Sequence, residues 1–162
     1  MPQPAKSTSE VKDVDRGYQK FQRDAERVSR EAHVSIGVQA TEAAKFRAFQ
    51  LTNVTLAAVH EFGSRDGKIP QRSFLRATVD RERDMVSNMM KRATKRVANG
   101  SSLEKELGII GEKVKAEVIR TIDQSIGIQP LKKSTETRKG STRPLIDTGQ
   151  LKASITWKVE KA

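Results

Sequence analysis

Three stretches of this chain carry residue types whose spacing could do chemistry. Leu145-Ile146-Asp147-Thr148-Gly149 has the form of an aspartic-protease loop, where two such aspartates face each other and share a proton. Only 13 residues follow Gly149, too few for the sheet and flap that enclose a peptide, and Gln150 stands where those proteases carry Ser or Ala. An aspartate capping the first amides of a short helix accounts for the same residues. His60-Glu61 opens like a zinc-protease helix, but the second histidine of that motif falls at Ser64. His33 is the other histidine, and no carboxylate spacing links the two. Gly108 and Gly111 lack the following Lys-Ser or Lys-Thr of a phosphate-binding loop. Without cysteine there are no disulfides or thiolate metal sites, and the redox compartment is left open. No nucleophile, base and oxyanion donor assemble, so the expectation is a protein that is not an enzyme, with no catalytic residue, cofactor or metal.

Composition points instead to contacts with other macromolecules. The formal charge is +11, from 31 basic and 20 acidic residues. Such an excess suits nucleic acid or an acidic protein partner, and a solvated surface of mixed charge is the plainer explanation. Apolar residues make up 35%, against roughly 45–50% in an average domain. Either part of the chain is extended, or neighbouring subunits complete its apolar surface. No apolar run approaches the length of a bilayer span, and Met1-Pro2-Gln3-Pro4 does not begin a signal peptide, so a protein made in a cytoplasm with no membrane partner is expected.

The elements that must position any site follow from periodicity. Residues 1–12 are polar and read as a flexible tail. Residues 13–32 read as a helical arm, with Tyr18, Phe21, Ala25 and Val28 three or four apart and Asp13 or Asp15 as cap. The aromatic pair could dock on this domain or on a neighbour. His33 to Gln39 alternates as a half-buried strand through Val34, Ile36 and Val38. Residues 41–52 read as an extended loop or short helix, and Asn53 as the N-cap of a helix through Phe62. Val79, Val86, Met90, Ala93 and Val97, widened by Met89, make a stripe that Asn99-Gly100 ends. Ser101-x-x-Glu104 resembles a capping box opening a second stripe, Leu103, Leu107, Ile110, Val114, Val118 and Ile122, which Gly127 ends. Two stripes joined so tightly predict an antiparallel helical hairpin. A basic loop over 127–146, a turn of helix capped by Asp147-Thr148-Gly149, and a strand from Ser154 to Glu160 through Ile155, Trp157 and Val159 close the chain. The fold class is α+β: a small, mainly antiparallel sheet packed on a long helical hairpin, with 33–162 as one domain.

The densest turn chemistry lies between strand and hairpin. Gly63 follows an apolar segment, Asp66-Gly67 reads as a turn, and Pro70 fixes the backbone before Phe74-Leu75. This reads as a clasp gathering large side chains in one place. His60-Glu61-Phe62-Gly63, a polar insert, then Ile69-Pro70-x-Arg72-x-Phe74-Leu75 resembles the signature of tailed-phage virion-morphogenesis, or tail-completion, proteins. A second match is Pro130-Leu131, Thr137-Arg138-Lys139 and Pro144-Leu145-Ile146-Asp147-Thr148-Gly149-Gln150-Leu151-x-x-Ser154-Ile155, similar to that family's closing segment. Together they span roughly residues 54 to 159, with Gln71-Arg72-Ser73 departing from the small residues and proline of the pattern.

That resemblance implies a structural virion protein, assembled in the host cytoplasm, that forms a homo-oligomeric ring in the head–tail neck or at the tail end. The portal-side adaptor and the tail tube or its terminator would be its partners, with genomic DNA passing through the lumen. Tyr18, Phe21, Phe62, Ile69, Pro70, Phe74, Leu75 and Trp157 are the expected subunit or partner contacts. The basic face Lys91, Arg92, Lys95 and Arg96 and the loop cations Lys132, Lys133, Arg138, Lys139 and Arg143 are the expected contacts to DNA or an acidic partner. With no aromatic interleaved, the 91–96 face suits phosphate attraction rather than base stacking. The alternative function is a basic nucleic-acid-binding protein using these same two segments.

Overall fold

The computed structural model describes residues 18–29, 31–39, 52–139, 142–145 and 149–161. In chain order these form α1 (Tyr18–Val28), β1 (Ala32–Val38), α2 (Asn53–Phe62), α3 (Arg76–Arg81), α4 (Arg83–Ala98), α5 (Leu103–Gln124), α6 (Lys133–Lys139), α7 (Gln150–Ala153) and β2 (Ile155–Lys161). The class is α+β, with β1 and β2 paired antiparallel. Helix α5 is the shared wall: it packs on both strands and also on α3 and α4.

The α5 sequence explains that position. Leu107, Ile110, Val114, Val118 and Ile122 are buried as its periodicity requires, while Leu103 in the first turn is half-buried. Glu106, Gly111, Glu117 and Thr121 are buried too, so the helix has two covered faces rather than one stripe. On the sheet side, Val34, Ile36 and Val38 stand opposite Val159, Trp157 and Ile155 in register. Directly opposed residues share a face, so these six form one apolar surface toward α5. On the other face His33 Nε2 lies 3.0 Å from Glu160 Oε2. Trp157 lies across Gly108 and Gly111 and donates from its indole Nε1 to Glu112, 2.6 Å away. The two glycines that interrupt the α5 pattern therefore make room for the tryptophan.

Helices α4 and α5 meet as hairpin arms should. Arg96 pairs with Glu106 beside the connecting turn, and Arg120 with Glu82 at the far end, 3.7 Å apart. The first arm is not one helix, however. It breaks at Glu82 into α3 and α4. Val79, expected in the stripe, is exposed; the inward position belongs to Thr78, whose hydroxyl bonds Phe74 O (2.6 Å) and Thr121 Oγ1 (2.7 Å). Met90 is exposed as well, while Ala93 and Val97 are buried and Val86 and Met89 pack against the core.

Several boundaries differ from the sequence reading. Ala32 already belongs to β1, while the first residues of the arm, 13–17 with the proposed caps Asp13 and Asp15, lie outside the described residues. Thr52, not Asn53, caps α2 by accepting from the Thr55 amide at 3.1 Å. Ser102 rather than Ser101 precedes α5 without a capping bond, because Ser101 Oγ donates to Glu106 instead (2.7 Å). Ser125, in the left-handed region at φ 52°, ends α5 two residues before Gly127. The expected basic loop contains a helix, α6. The tail 1–12, the stretch 41–51 and the proposed cap residues Asp147 and Thr148 lie outside the described residues.

The seat of Trp157 can be tested on the two glycines. A Cβ at Gly111 would stand 2.9 Å from Trp157 Cγ and Val34 Cγ2, whereas one at Gly108 meets the ring's outer edge at 3.1 Å. Gly111→Ala is expected to lose about 1–2 kcal/mol, overpacking outweighing the better helix propensity of alanine. Gly108→Ala should be close to neutral. Urea unfolding with an unchanged slope reads both, and equal effects would show that the ring does not bear on Gly111.

Candidate functional site: the clasp and the surfaces it presents

The resemblance motif folds into a clasp centred on Glu61, in the last turn of α2. Gly63 ends that helix at φ 83°, and a Cβ there would stand 3.2 Å from both Ile69 O and Gln71 N. Only glycine tolerates both that conformation and that backbone approach. The insert closes on itself: Ser64 Oγ donates to Asp66 (2.6 Å) and accepts from the Ile69 amide (2.8 Å), with Gly67 turning at φ 70°. The returning strand of the loop is tied to α2 by the Arg72 amide donating to His60 O at 2.7 Å.

Glu61 is 6% exposed, and its carboxylate accepts four hydrogen bonds. They come from Ser73 Oγ (2.6 Å) and from the amides of Phe74, Leu75 and Arg76 (3.0 Å each). The donors are the unpaired amides at the start of α3, whose own N-cap residue Leu75 offers no side-chain cap. Burial alone pushes the Glu61 carboxyl up, but the bonds from Ser73 and the three amides outweigh it and hold the group below the ordinary glutamate range. Arg72, equally buried, donates from Nε to Gln129 O (3.0 Å) and from Nη2 to Pro130 O (3.4 Å). Thus one acid and one base, each bonded to backbone, fasten the loop to α2, to α3 and to the segment after α5.

The expected contact residues divide on this frame. Phe62 (69% exposed) and Ile69 are held outward from the clasp, and Pro70 is half-buried beside them. Phe74 is 2% exposed and belongs to the core, which corrects its assignment as a contact. Leu75 packs half-buried against that core, beside Gly37 of β1. Trp157 is half-buried on α5, as described. Sequence reasoning missed Val54 and Ala58, both exposed, which stand eight and four residues before Phe62 and extend its face along α2.

Helix α1 packs on α4 with its charged side inward. Asp24, its one half-buried residue among those with a described side chain, takes Lys20 (2.6 Å) and Arg27 (3.6 Å). Lys20, Arg23, Asp24 and Arg27 line a shallow groove with Ala98 and Asn99. Tyr18 (65% exposed) and Phe21 (68%) point away from it, so the aromatic pair docks on no described part of its own domain.

The basic residues also divide. Lys91, Arg92 and Lys95 are exposed on α4 and make no ion pair among the described residues. Arg96 does not join them: its Nε bonds Glu106 Oε2 at 2.6 Å, and that 2% exposed carboxylate also accepts from Ser101. Lys132, Lys133 and Arg143 are exposed, while the side chains of Arg138 and Lys139 fall outside the described residues.

Among the described residues no group of three or more His, Cys, Asp and Glu could hold a metal, and no helix is long and apolar enough to cross a membrane. Glu61, the carboxylate of the zinc-like dipeptide, is occupied by residues 73–76. Comparison of the chain with protein-family models, with curated proteins and with solved structures finds no match.

Two consequences of the clasp are measurable. Glu61→Gln, which turns an acceptor into a donor facing amides, should cost about 2–3 kcal/mol at neutral pH. Because the folded-state pKa is depressed, Glu61's contribution is present above the unfolded-state value and is lost as pH falls through the folded one. The stability gap between wild type and Glu61→Gln should therefore shrink in the acid range; a gap independent of pH would show that the ionised form is not what the amides hold. Arg72→Lys, which keeps the charge but loses the fork, should free the 129–133 segment and speed tryptic cleavage after Lys132 or Lys133.

Proposed function

We propose that this chain is a structural virion subunit of a tailed phage. It assembles into a closed ring at the head–tail neck or tail end and joins head to tail without catalysing a reaction. The observation that carries the reading is what becomes of the motif residues. Glu61, Gly63, Arg72 and Phe74 all have architectural tasks, and the result of those tasks is a stiff loop holding Phe62 and Ile69 in solvent. A loop so fully determined by its own bonds has little need of a ligand to order it. Large apolar side chains held in water by such a frame suit contact with another protein surface. The portal-side adaptor and the tail tube or its terminator are the neighbours such a ring requires.

The second reading, a nucleic-acid-binding protein, is favoured by Lys91, Arg92 and Lys95, exposed cations without acidic partners among the described residues. Salt separates the two. Negative-stain microscopy and light scattering of the purified protein should show rings that persist at high salt, because apolar contacts are not screened. A strictly monomeric protein that labelled antibodies do not find at the neck of virions would defeat the proposal. If phosphate contacts dominate instead, DNA affinity should fall steeply with salt, and replacing Lys91, Arg92 and Lys95 by alanine should flatten the log–log slope by about 3.

A further inference from the structure

We infer that the ring contact is head-to-tail between two helices: α1 of one copy seats Tyr18, Phe21 and Ala25 on the Val54–Ala58–Phe62 face of α2 in the next copy. This rests on the ring reading above and specifies its interface. The first observation is that α1 is mounted inside out. Its Lys20, Asp24 and Arg27 side meets α4, and its apolar stripe, with Tyr18 and Phe21 about two-thirds exposed, faces water. An amphipathic helix placed this way gains nothing from its apolar face unless something covers it.

The second observation is that α2 has a matching surface. Val54, Ala58 and Phe62 lie at four-residue intervals on its outer side, and Ile69 extends the patch beyond the helix end. The stripes run for seven and eight residues, about 10 and 12 Å at the helical rise. Ala58 is small between Val54 and Phe62, and in the inferred pairing an aromatic ring of α1 sits over it.

Charge selects a second copy as the occupant. The chain carries +11, so two copies repel across most of their surfaces. Neither stripe contains a charged residue, and the exposed side of α2 has none at all, since Glu61 is buried. These are faces on which two like-charged copies can meet. DNA or an acidic partner would instead be recognised by cations, which both stripes lack. Helix α1 rests on α4, whereas α2 rests on β1 and α7, so the faces belong to different elements. Two unlike faces on one subunit give a heterologous contact that propagates around a ring, where a self-complementary face would stop at a dimer.

The absence of cysteine makes the pairing directly testable by thiol crosslinking. Phe21→Cys and Phe62→Cys remove exposed side chains, and circular dichroism checks that each variant folds. Mixed and treated with a short bismaleimide, the two single variants should yield a covalent dimer that neither yields alone. A chain carrying both substitutions should yield a ladder ending at the ring's subunit number. Tyr18→Ala/Phe21→Ala should raise the concentration at which rings dissociate by at least about tenfold. A dimer from Phe21→Cys alone would mean two-fold pairing of α1 and overturn the inference. Rings in the microscope with no crosslink in the mixture would overturn it too, leaving the ring reading intact. Monomers under every condition would remove both. Crosslinking of the Phe21→Cys or Phe62→Cys variant only to a different virion protein would assign the stripes to that partner and equally overturn the pairing.

Discussion

A carboxylate leaves water only when fixed donors replace the hydration it gives up. At Glu61 those donors are one hydroxyl and three consecutive amides, all from residues 73–76. The exchange works in both directions. Helix α3 begins with amides of which Ser73 Oγ takes one, that of Ala77 at 3.2 Å, leaving those of Phe74, Leu75 and Arg76 to Glu61. Helix α2 ends with an acid that its own dipole disfavours. Each defect is the remedy for the other, so neither element is settled until the loop between them has closed. Once it has, Phe74 is delivered to the core, Thr78 to Thr121 on α5, and Arg72 to the carbonyls of Gln129 and Pro130. The outward stance of Phe62 and Ile69 is the remainder: they flank a fastening whose polar atoms already point inward.

The same reciprocity recurs around α5. Glu106 is buried by the turn that joins it to α4, with Arg96 and Ser101 as partners. Glu117 is buried between Lys113, 2.9 Å away, and Arg120, whose Nε is 2.9 Å from its second oxygen. Thr121 accepts from Thr78 and from Arg81 Nη2 at 2.7 Å while donating to Glu117 O. Side chains that would be apolar in a richer sequence are here polar and paired. Breaking such a pair costs more than the pair contributes, so these contacts fix which surfaces meet rather than supply most of the stability.

Legibility in the sequence followed periodicity and failed where a side chain bonds across the fold. The α5 stripe, the alternation in both strands, and the glycine and Asp-Gly turns of the clasp were all readable, because each is a local pattern with a local cause. The break at Glu82 was not, since Thr78 competes with Val79 for the inward position through a partner 43 residues away. Ser101 looked like a helix cap and is instead drawn to Glu106. The role of Glu61 had a faint signal: an acid in a helix's last turn, followed by a helix whose N-cap residue, Leu75, has no side chain to cap with. The orientation of α1 had none. Its amphipathic pattern says that one face is covered, not by which molecule.

Low apolar content suggested either an extended part of the chain or apolar surface completed by neighbours, and the described interior adds a further cause. The buried set includes Asn53, Glu61, Arg72, Thr78, Glu106, Glu117, Thr121 and Ser154 beside its aliphatic residues. An interior built with so many paired polar groups needs fewer apolar ones, so composition alone does not argue for a missing subunit. What argues for one is placement. Tyr18, Phe21 and Phe62, three of the chain's largest apolar side chains, are left outside while polar residues occupy the inside. Among the described residues nothing explains that inversion, since exposing an aromatic gains nothing for the isolated chain. In the proposed ring a second surface covers them, and the clasp and the charged seat of α1 keep those side chains available to it.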